Sequence, residues 1–309
     1  MDRAPRHLLK ELLRDIAGAS AAGVAAVCHV DDASVELYRR WIAAGRHADM
    51  AYLERYDDVR RDPGLLLEGA RSIIVGAFSY ANPGVTERMR SEGRPVIAEY
   101  ALGRDYHTEL RRRMDAVGKE LTGRFGGKYR VCIDTAPLRE RYWAKQAGVG
   151  FVGRNNYIIV PGLGAHFFLA SLLWSGEPAD GYDTPCDAEC DGCGACAAAC
   201  PTGALDGEGG CDARRCISFL TIESREPLPD GIATRGQLFG CDICRKVCPH
   251  EPAQPDVTTI DDFRARPEVS NLTAEDWAIM TKERFNDIFR DSAVKRAKLD
   301  KLKANVRRI

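Results

Sequence analysis

The sequence has no long apolar run and no strong net charge, and both absences narrow the range of functions to consider. Lys and Arg number 44 against 45 Asp and Glu, so no strong global attraction to polyanions is expected. The most apolar stretch, residues 158–174, is interrupted by Pro161, Gly162, Gly164 and His166, which predicts buried core and no membrane span. The amino terminus is amphipathic, with charges throughout, unlike a signal peptide. We therefore expect a cytoplasmic protein without membrane partners.

The chain has 309 residues, of which 45% are hydrophobic, enough for more than one domain. Apolar periodicity predicts helices over residues 7–18, 33–55, 107–124 and 138–147, and strands over 72–80, 129–134, 156–160 and 167–174. This mixture predicts an α+β or α/β sandwich. We expect three segments: a catalytic domain at 1–182, a cysteine-rich domain at 183–252 and a helical segment with a basic tail at 253–309.

Eight of the twelve cysteines form two runs with related spacing. The first run is Cys190-x2-Cys193-x2-Cys196-x3-Cys200-Pro201, and the second is Cys216 followed, after 24 residues, by Cys241-x2-Cys244-x3-Cys248-Pro249. This is the ligand spacing of bacterial ferredoxins, in which the fourth cysteine of a run serves the neighbouring [4Fe–4S] cluster. The predicted ligands are Cys190, Cys193, Cys196 and Cys248 for one cluster, and Cys200, Cys216, Cys241 and Cys244 for the other.

Two alternatives for these cysteines are weaker. Zinc sites use CxxC pairs or mix cysteine with histidine, and disulfide frameworks are typical of small secreted chains. The four remaining cysteines, Cys28, Cys132, Cys186 and Cys211, have no ligand spacing and are predicted to be buried free thiols. Two nearby clusters form a path for electrons, and an electron carrier needs only the cluster domain. The large amino-terminal portion therefore predicts an enzyme that uses the electrons.

Four segments resemble the epoxyqueuosine reductase family: IDTAPLRER at 133–141, AGVGFVGRN at 147–155, CISFLTIE at 216–223 and GCDICRKVCP at 240–249. The resemblance implies a cobalamin-binding domain akin to that of reductive dehalogenases, a ferredoxin-like two-cluster domain and C-terminal helices. It also implies reduction of the epoxide of epoxyqueuosine at the tRNA wobble position to queuosine, the last step of tRNA queuosine biosynthesis. Electrons from an unidentified low-potential donor would pass through the two clusters to cobalamin, in a protein expected to be a monomer.

Asp134 is the predicted proton donor, because it follows the predicted strand 129–134 and matches the family's proton-donating aspartate. An aspartate that holds a proton near neutral pH needs a raised pKa. The alternative is a structural role, in which Asp134 caps the following helix or binds the turn backbone. His107 lies in a motif expected near the corrin, and the resemblance implies no protein histidine on cobalt.

The remaining candidates are contacts to cobalamin and to tRNA. The expected cobalamin contacts are Arg60, Tyr106, Arg154, Asn156, Ile158, Leu169, Ser218, Asp242 and Ile243. The expected tRNA contacts are Arg141, Lys295, Arg296 and Lys298, the last three in a tail with eight Lys or Arg between residues 290 and 309. Core packing, surface ion pairs and a solvated helix face are the structural alternatives.

Three functions therefore compete: a tRNA-modifying reductase, a reductive dehalogenase acting on small molecules, and a non-enzymatic electron carrier.

Overall fold

A four-stranded antiparallel sheet is the centre of the amino-terminal half in the computed structural model, which describes residues 4–309. The strands are β1 (Ala21–Ala26), β2 (Ser72–Ser79), β3 (Val96–Ile97), β4 (Tyr129–Cys132), β5 (Phe151–Val152), β6 (Ile158–Ile159), β7 (Phe167–Trp174) and β8 (Gln237–Phe239). The central sheet has the order β1-β2-β7-β4, and its neighbouring strands are all antiparallel. Strands β3 and β8 form a parallel pair, and β5 and β6 an antiparallel pair.

Thirteen α-helices are found in the described part of the chain. They are α1 (Arg6–Leu12), α2 (Asp32–Ala43), α3 (Asp57–Arg61), α4 (Val85–Ser91), α5 (Tyr106–Phe125), α6 (Glu140–Gln146), α7 (Ala195–Ala199), α8 (Ile217–Ile222), α9 (Ile243–Lys246), α10 (Pro267–Ser270), α11 (Ala274–Ile279), α12 (Lys282–Phe289) and α13 (Lys298–Val306). A π-helical turn, Leu13–Ala17, continues α1. Short 3₁₀ segments lie at Ala51–Leu53, Pro63–Leu66, Glu99–Ala101, Ala213–Arg215, Asp261–Phe263 and Ala293–Ala297. Between residues 4 and 309, no helix is long and apolar enough to cross a membrane.

Helices cover both faces of the central sheet. Ile74 and Phe78 of β2 belong to a core that includes Leu110 of α5. On the opposite face, Ile73 belongs to a second core that includes Trp143 of α6. Strand β2 is therefore buried along its whole length, which explains why its sequence is continuously apolar rather than alternating. The predicted mixed sandwich of helices and strands is confirmed.

One predicted helix is shorter in the structure, and one strand was not predicted. The helix predicted over 33–55 ends at Ala43, because Gly45 and Ala48 take positive φ angles of 63° and 54°, which a helix cannot accommodate. Strand β1 was not predicted from the sequence. Its residues AAGVAA are too small to show a clear apolar period, and it forms through pairing with β2 rather than through strand propensity.

The C-terminal helices, which are confirmed, pack with segments from the rest of the chain. Trp277 of α11 and Phe289 of α12 share one core with Ile97 of β3 and Leu238 of β8. Residues 253–309 thus contribute to a joint core rather than enclosing one of their own, and the boundaries at 182 and 252 stay predictions. This packing holds the C-terminal segment against the cysteine-rich region.

Candidate functional site

The first set of predicted cluster ligands meets around one cavity. Its four cysteines line the cavity together with Arg154 and His250; they are Cys190, Cys193, Cys196 and Cys248. Cys196 lies on α7 and Cys248 follows α9, two helices that pack against each other. The end of the second cysteine run is therefore placed beside the first run, as the predicted ligand exchange requires.

The second set also converges. Cys244 is half-buried, and burial, followed by the neighbouring charges of Cys241, Cys216 and Cys200, raises the pKa of its thiol. The sequence pattern missed a fifth thiol here, Cys211. Its hydrogen bond to Cys216 lowers the pKa of Cys216 to about 6. Because Cys211 has no ligand-like spacing, only the fold places it at this position.

One of the four cysteines outside the two ligand sets differs from the prediction. Cys132 is buried as predicted, and Cys186 and Cys211 are partly buried. Cys28 is exposed, so its prediction as a buried thiol is wrong. It lies just beyond the end of β1, where the chain leaves the sheet.

The surroundings of both cysteine sets fit iron–sulfur clusters. The N–H of Arg154 donates to Cys190 Sγ at 3.4 Å, and that of Ala204 to Cys200 Sγ at 3.3 Å. His250 Nε2 is buried without a hydrogen-bond partner in the described chain. Such donors tune the potential of a bound cluster.

Asp134 lies two residues beyond β4, with its side chain exposed. Its φ of 45° is in the left-handed region, which is strained for a residue other than glycine and is often found at functional sites. Its Oδ2 lies 3.0 Å from His107 Nε2, and its N–H donates to Glu140 Oε1 at 3.1 Å. Helix α6 has Arg139 at its N-cap, with no side-chain cap. The carboxylate of Asp134 is therefore not used for capping.

His107 is held between two carboxylates. Its Nδ1 lies 2.7 Å from Asp105 Oδ1, on the side opposite to Asp134. Burial alone would lower the pKa of His107, but the hydrogen bonds and charges of Asp105 and Asp134 outweigh burial and raise the pKa to about 9. The pairing of His107 with Asp105 had a local sequence signal, since Asp105 stands at the N-cap two residues before His107. The contact of His107 with Asp134 had no local sequence signal.

A recess adjoins Asp134. Glu140 is half-buried and Arg141 is exposed, yet desolvation by the surrounding protein raises the pKa of Glu140 to about 8 and lowers that of Arg141. Glu140 and Arg141 are thus surrounded by protein atoms but remain accessible to solvent, as side chains that line a concave surface are. Burial also raises the pKa of the half-buried Tyr157, which lies within range of the charge on Cys244. The recess thus extends from Asp134 towards the second cysteine set.

The predicted cobalamin contacts lie partly in this recess and partly elsewhere. The backbone carbonyl of Asn156 accepts a hydrogen bond from Arg141 in the recess. Tyr106 stacks on Phe168 with ring centroids 4.1 Å apart. Arg60 donates to the carbonyls of Arg55 and Tyr52 at 3.2 and 3.4 Å.

The other predicted contacts have structural roles in the described chain. Ile158 is 3% exposed and packs in the core, and Leu169 is half-buried on β7. Asp242 Oδ2 accepts from the N–H of Glu99 at 2.7 Å. Arg154 lines the first cysteine cavity, and its Nη1 donates to Gly207 O at 3.1 Å. The remaining two, Ser218 and Ile243, are half-buried on α8 and α9. All nine stay predictions as cofactor contacts.

The predicted tRNA contacts of the tail lie on the side of Asp134. Arg296 donates to both carboxylate oxygens of Glu223 at 3.0 and 2.8 Å. The pKa of Arg296 is raised, most strongly by Glu223 and also by the charges of Tyr52 and Asp134. Lys295 and Lys298 are exposed next to it. The basic segment therefore borders the opening of the recess.

Family models match two regions of the chain. The model described as "Epoxyqueuosine reductase QueG, DUF1730" matches residues 60–135, and the "4Fe-4S double cluster binding domain" matches residues 189–251.

Similar proteins of known name agree with these matches. The epoxyqueuosine reductase of Cyclobacterium marinum is 34% identical, over 94% of this chain and 92% of the relative. That of Vibrio cholerae is 35% identical, over 79% of this chain and 67% of the relative.

Solved structures agree as well. An epoxyqueuosine reductase with an epoxyqueuosine-modified tRNA stem loop matches with a TM-score of 0.85 and 27% identity, over 97% of this chain and 80% of that chain. A second match, with a TM-score of 0.83 and 26% identity over the same shares, is the Bacillus subtilis enzyme with an aspartate catalytic loop swung out of its active site.

Proposed function

The chain belongs to the epoxyqueuosine reductase family, and from that premise we propose that it reduces the epoxide of epoxyqueuosine at the wobble position of a tRNA to queuosine. One observation carries the proposal: Asp134 is hydrogen-bonded to Glu140, and the neighbouring Arg141 lies within range of the charge on Cys211, the thiol that is hydrogen-bonded to Cys216 of the second cysteine set. An electron path and a proton source are thereby brought to one place, as reductive C–O bond cleavage requires.

The electron path uses the two cysteine sets. Clusters held by these thiolates would supply one-electron transfer between a low-potential donor and the site. The second set, Cys200, Cys216, Cys241 and Cys244, is linked to the recess through Cys211, whose charge acts on Arg141 and whose thiol is hydrogen-bonded to Cys216. The first set, Cys190, Cys193, Cys196 and Cys248, lines a separate cavity with Arg154 and His250.

The recess is suited to a large cofactor, and the family implies cobalamin. The polar side of the recess is formed by Arg141, which donates a hydrogen bond to the carbonyl of Asn156. When bound there, cobalamin supplies the metal centre that carries reducing power to the C–O bond. The residues that would hold it are those predicted above, beginning with Tyr106, Asn156 and Leu169. Protein groups then orient the substrate and supply protons.

Asp134 supplies a proton to the oxygen that leaves. Conversion of an epoxide to an alkene and water consumes two electrons and two protons, and an oxygen anion is a poor leaving group. The carboxyl of Asp134 is exposed at the end of β4 and faces His107 rather than a helix terminus. It is therefore free to reach a substrate in the recess.

A tRNA-borne substrate explains the open site and its basic border. Lys295, Arg296 and Lys298 lie on the side of Asp134, where they would contact phosphates of the anticodon stem loop. Arg141 is exposed at the recess, where it would contact the nucleotide that carries the epoxide. Such a substrate is found in the cytoplasm, and we expect the protein to act as a monomer.

The proposal is tested with protein reconstituted with iron, sulfide and cobalamin under anaerobic conditions. A low-potential one-electron reductant and a stem loop that contains epoxyqueuosine are added, and the nucleosides are identified by mass spectrometry. We expect queuosine only when the clusters and cobalamin are both present. Retention of cobalamin without conversion of the RNA, together with reductive dehalogenation of a small aromatic halide, would favour the dehalogenase alternative. Failure to retain cobalamin would favour the electron carrier.

A further inference from the structure

The reaction needs two protons, and Asp134 carries at most one at a time. After the first transfer Asp134 is a carboxylate, and it needs a second proton within the same turnover. Within the proposed function, we infer that His107, positioned by Asp105, is the relay that returns a proton to Asp134. This is a positioning and proton-supply role that acts through Asp134, without contact between His107 and the substrate.

Hydrogen bonds fix the orientation of the imidazole. Asp105 Oδ1 accepts both from the backbone N–H of His107 at 2.9 Å and from its Nδ1 at 2.7 Å. A carboxylate at Nδ1 holds the proton on that nitrogen and leaves Nε2 for the other partner. Nε2 lies 3.0 Å from Asp134 Oδ2, within the range for direct proton transfer. Asp105 is also the N-cap of α5, so the helix start fixes its position.

Ring stacking fixes the plane of the same imidazole. The rings of His107 and Tyr106 have centroids 4.0 Å apart at an interplanar angle of 26°. Tyr106 in turn stacks on Phe168 of β7 at 4.1 Å and 11°. The stack keeps Nε2 directed at Asp134.

The charges around His107 favour the protonated form. The carboxylate of Asp105 faces His107 from the start of the same helix and that of Asp134 faces it from the loop after β4. Glu140 of α6 also faces this group, but its pKa of about 8 leaves it largely neutral near neutral pH, and Tyr106 covers the ring. Burial opposes protonation, but the two hydrogen-bonded carboxylates outweigh burial and raise the pKa of His107 to about 9. The side chain is 31% exposed. Solvent can therefore return a proton to the ring after each transfer.

The proton transfer from His107 to Asp134 changes no oxidation state. Because the Asp134 carboxylate helps to hold the charge on His107, both protons pass through the pair in turn. In each transfer the Nε2–H bond of His107 breaks as an O–H bond forms on Asp134 Oδ2, and that O–H bond then breaks as the substrate oxygen is protonated. The first proton goes to the epoxide oxygen and the second to the alcohol oxygen, which leaves as water. The two electrons come from the low-potential donor through the clusters. A proton from solvent restores the imidazolium.

The test compares His107→Gln and Asp105→Asn with His29→Gln, which removes an exposed histidine that also pairs with an aspartate, Asp62 at 3.4 Å. Asn keeps the N-cap of α5. We expect the rate at pH 7.5 to fall about 10- to 100-fold in His107→Gln and not in the control. The wild-type rate should fall as the pH rises through about 9, since a raised pKa keeps the relay proton available only below that pH. In Asp105→Asn this fall should occur at lower pH.

A second measurement does not depend on activity. In protein labelled with ¹⁵N-histidine and carrying oxidised clusters, the signal absent from His107→Gln identifies His107. We expect its titration midpoint near pH 9 in the wild type, and a lower midpoint in Asp105→Asn and in Asp134→Asn. A wild-type midpoint near 6.5, or an unchanged rate and pH profile in His107→Gln, would overturn the relay. If the wild-type protein leaves epoxyqueuosine intact while His107 titrates near 9, the proposed function fails and the relay geometry stands.

Discussion

Asp134 reaches the recess through a backbone conformation that few residues other than glycine adopt. Its φ of 45° costs of order 1–3 kcal/mol, and the hydrogen bond from its N–H to Glu140 helps to hold it there. The loop after β4 is thus held so that the carboxylate faces His107. Strain of this kind is tolerated when it places a reacting group.

Replacement of this carboxylate by an amide gives the first prediction. Asp134→Asn keeps the size of the side chain but removes the acidic proton, so turnover should fall at least about 100-fold while cobalamin uptake stays unchanged. Rapid-mix single-turnover assays and absorption spectra measure the two effects. Asp287→Asn, which alters an exposed carboxylate near Arg290, is the matched control. Wild-type turnover in Asp134→Asn would show that the acid is another group.

Glu140 gives a prediction about pH and stability. Desolvation raises its pKa to about 8 from an ordinary 4.5, so the folded state binds this proton more tightly than the unfolded chain. The stabilisation is complete below pH 4.5 and is lost as the pH rises through about 8. The side chain in Glu140→Gln stays neutral at every pH. The Tm of this variant minus the wild-type Tm should therefore increase by at least about 2 °C from pH 5 to pH 9.

Calorimetry of the cluster-loaded protein at a fixed scan rate measures this difference. Glu120→Gln, which removes an exposed carboxylate paired with Arg124, should show no such trend. A Tm difference between Glu140→Gln and the wild type that is independent of pH would mean that Glu140 is ionised throughout.

Among single residues, the sequence predicted those whose chemistry depends on a short motif. Asp134 and the eight cysteines stand in short motifs with fixed spacing, so they could be named before the fold was seen. Glu140 was part of the same motif, but its raised pKa depends on protein packed around it from distant segments. The contact of Cys211 with Cys216 likewise depends on a loop conformation that no spacing describes.

Two short helices, α7 and α9, bring the cysteine runs together. Cys196 lies on α7 and Cys244 on α9, and the packing of these helices places Cys248 beside the first run. The buried Arg245 of α9 forms ion pairs with Glu99 and Glu251. Breaking a buried pair of this kind costs about 3–5 kcal/mol, so α9 is firmly fixed to the segment around Glu99.

Crossed ligation gives the prediction for these elements. A double variant, Cys190→Ser with Cys248→Ser, removes two ligands of one cluster and should leave about four of eight irons. Cys190→Ser with Cys200→Ser removes one ligand from each cluster and should leave almost no iron. Uncrossed ligation would reverse the two results. Iron analysis and electron paramagnetic resonance of the reduced protein decide between them, with Cys28→Ser, an exposed thiol, as the control.

The elements that the sequence predicted well have strong periodicity. Helix α5 and strands β2 and β7 lie within a residue or two of the predicted bounds, because each buries a long apolar face. Strand β1 and the end of α2 were missed, since pairing with β2 and positive φ angles decide them. Tertiary contacts thus override weak local preference.

For the whole molecule, the family resemblance read from the motifs is confirmed, since relatives share 34% identity over 94% of the chain. The near-zero net charge of −1 means that binding of tRNA depends on local basic segments. The border formed by Lys295, Arg296 and Lys298 is such a segment, and Glu223 already neutralises Arg296. The two exposed lysines are left to contact phosphates.

Binding of the stem loop at graded salt concentrations tests this border. If Lys295 and Lys298 contact phosphates, Lys295→Ala with Lys298→Ala should weaken binding regardless of base sequence. The slope of log K against log salt should become shallower by about 1.4. Lys128→Ala changes an exposed lysine that precedes β4, at the strand end opposite Asp134, and should have no effect. An unchanged slope in the double lysine variant would place the tRNA on another surface.

If the proposed function is correct, electrons stored on the clusters of this chain reduce the epoxide of the bound RNA. The most direct measurement uses protein loaded with cobalamin, reduced and then freed of excess reductant, and mixed with a limiting amount of epoxyqueuosine stem loop. Cluster absorbance and nucleoside mass are followed together. We expect one queuosine for about two electrons lost from the protein, as the balance of the reaction requires. Clusters that stay reduced while the RNA keeps its epoxide would contradict the account.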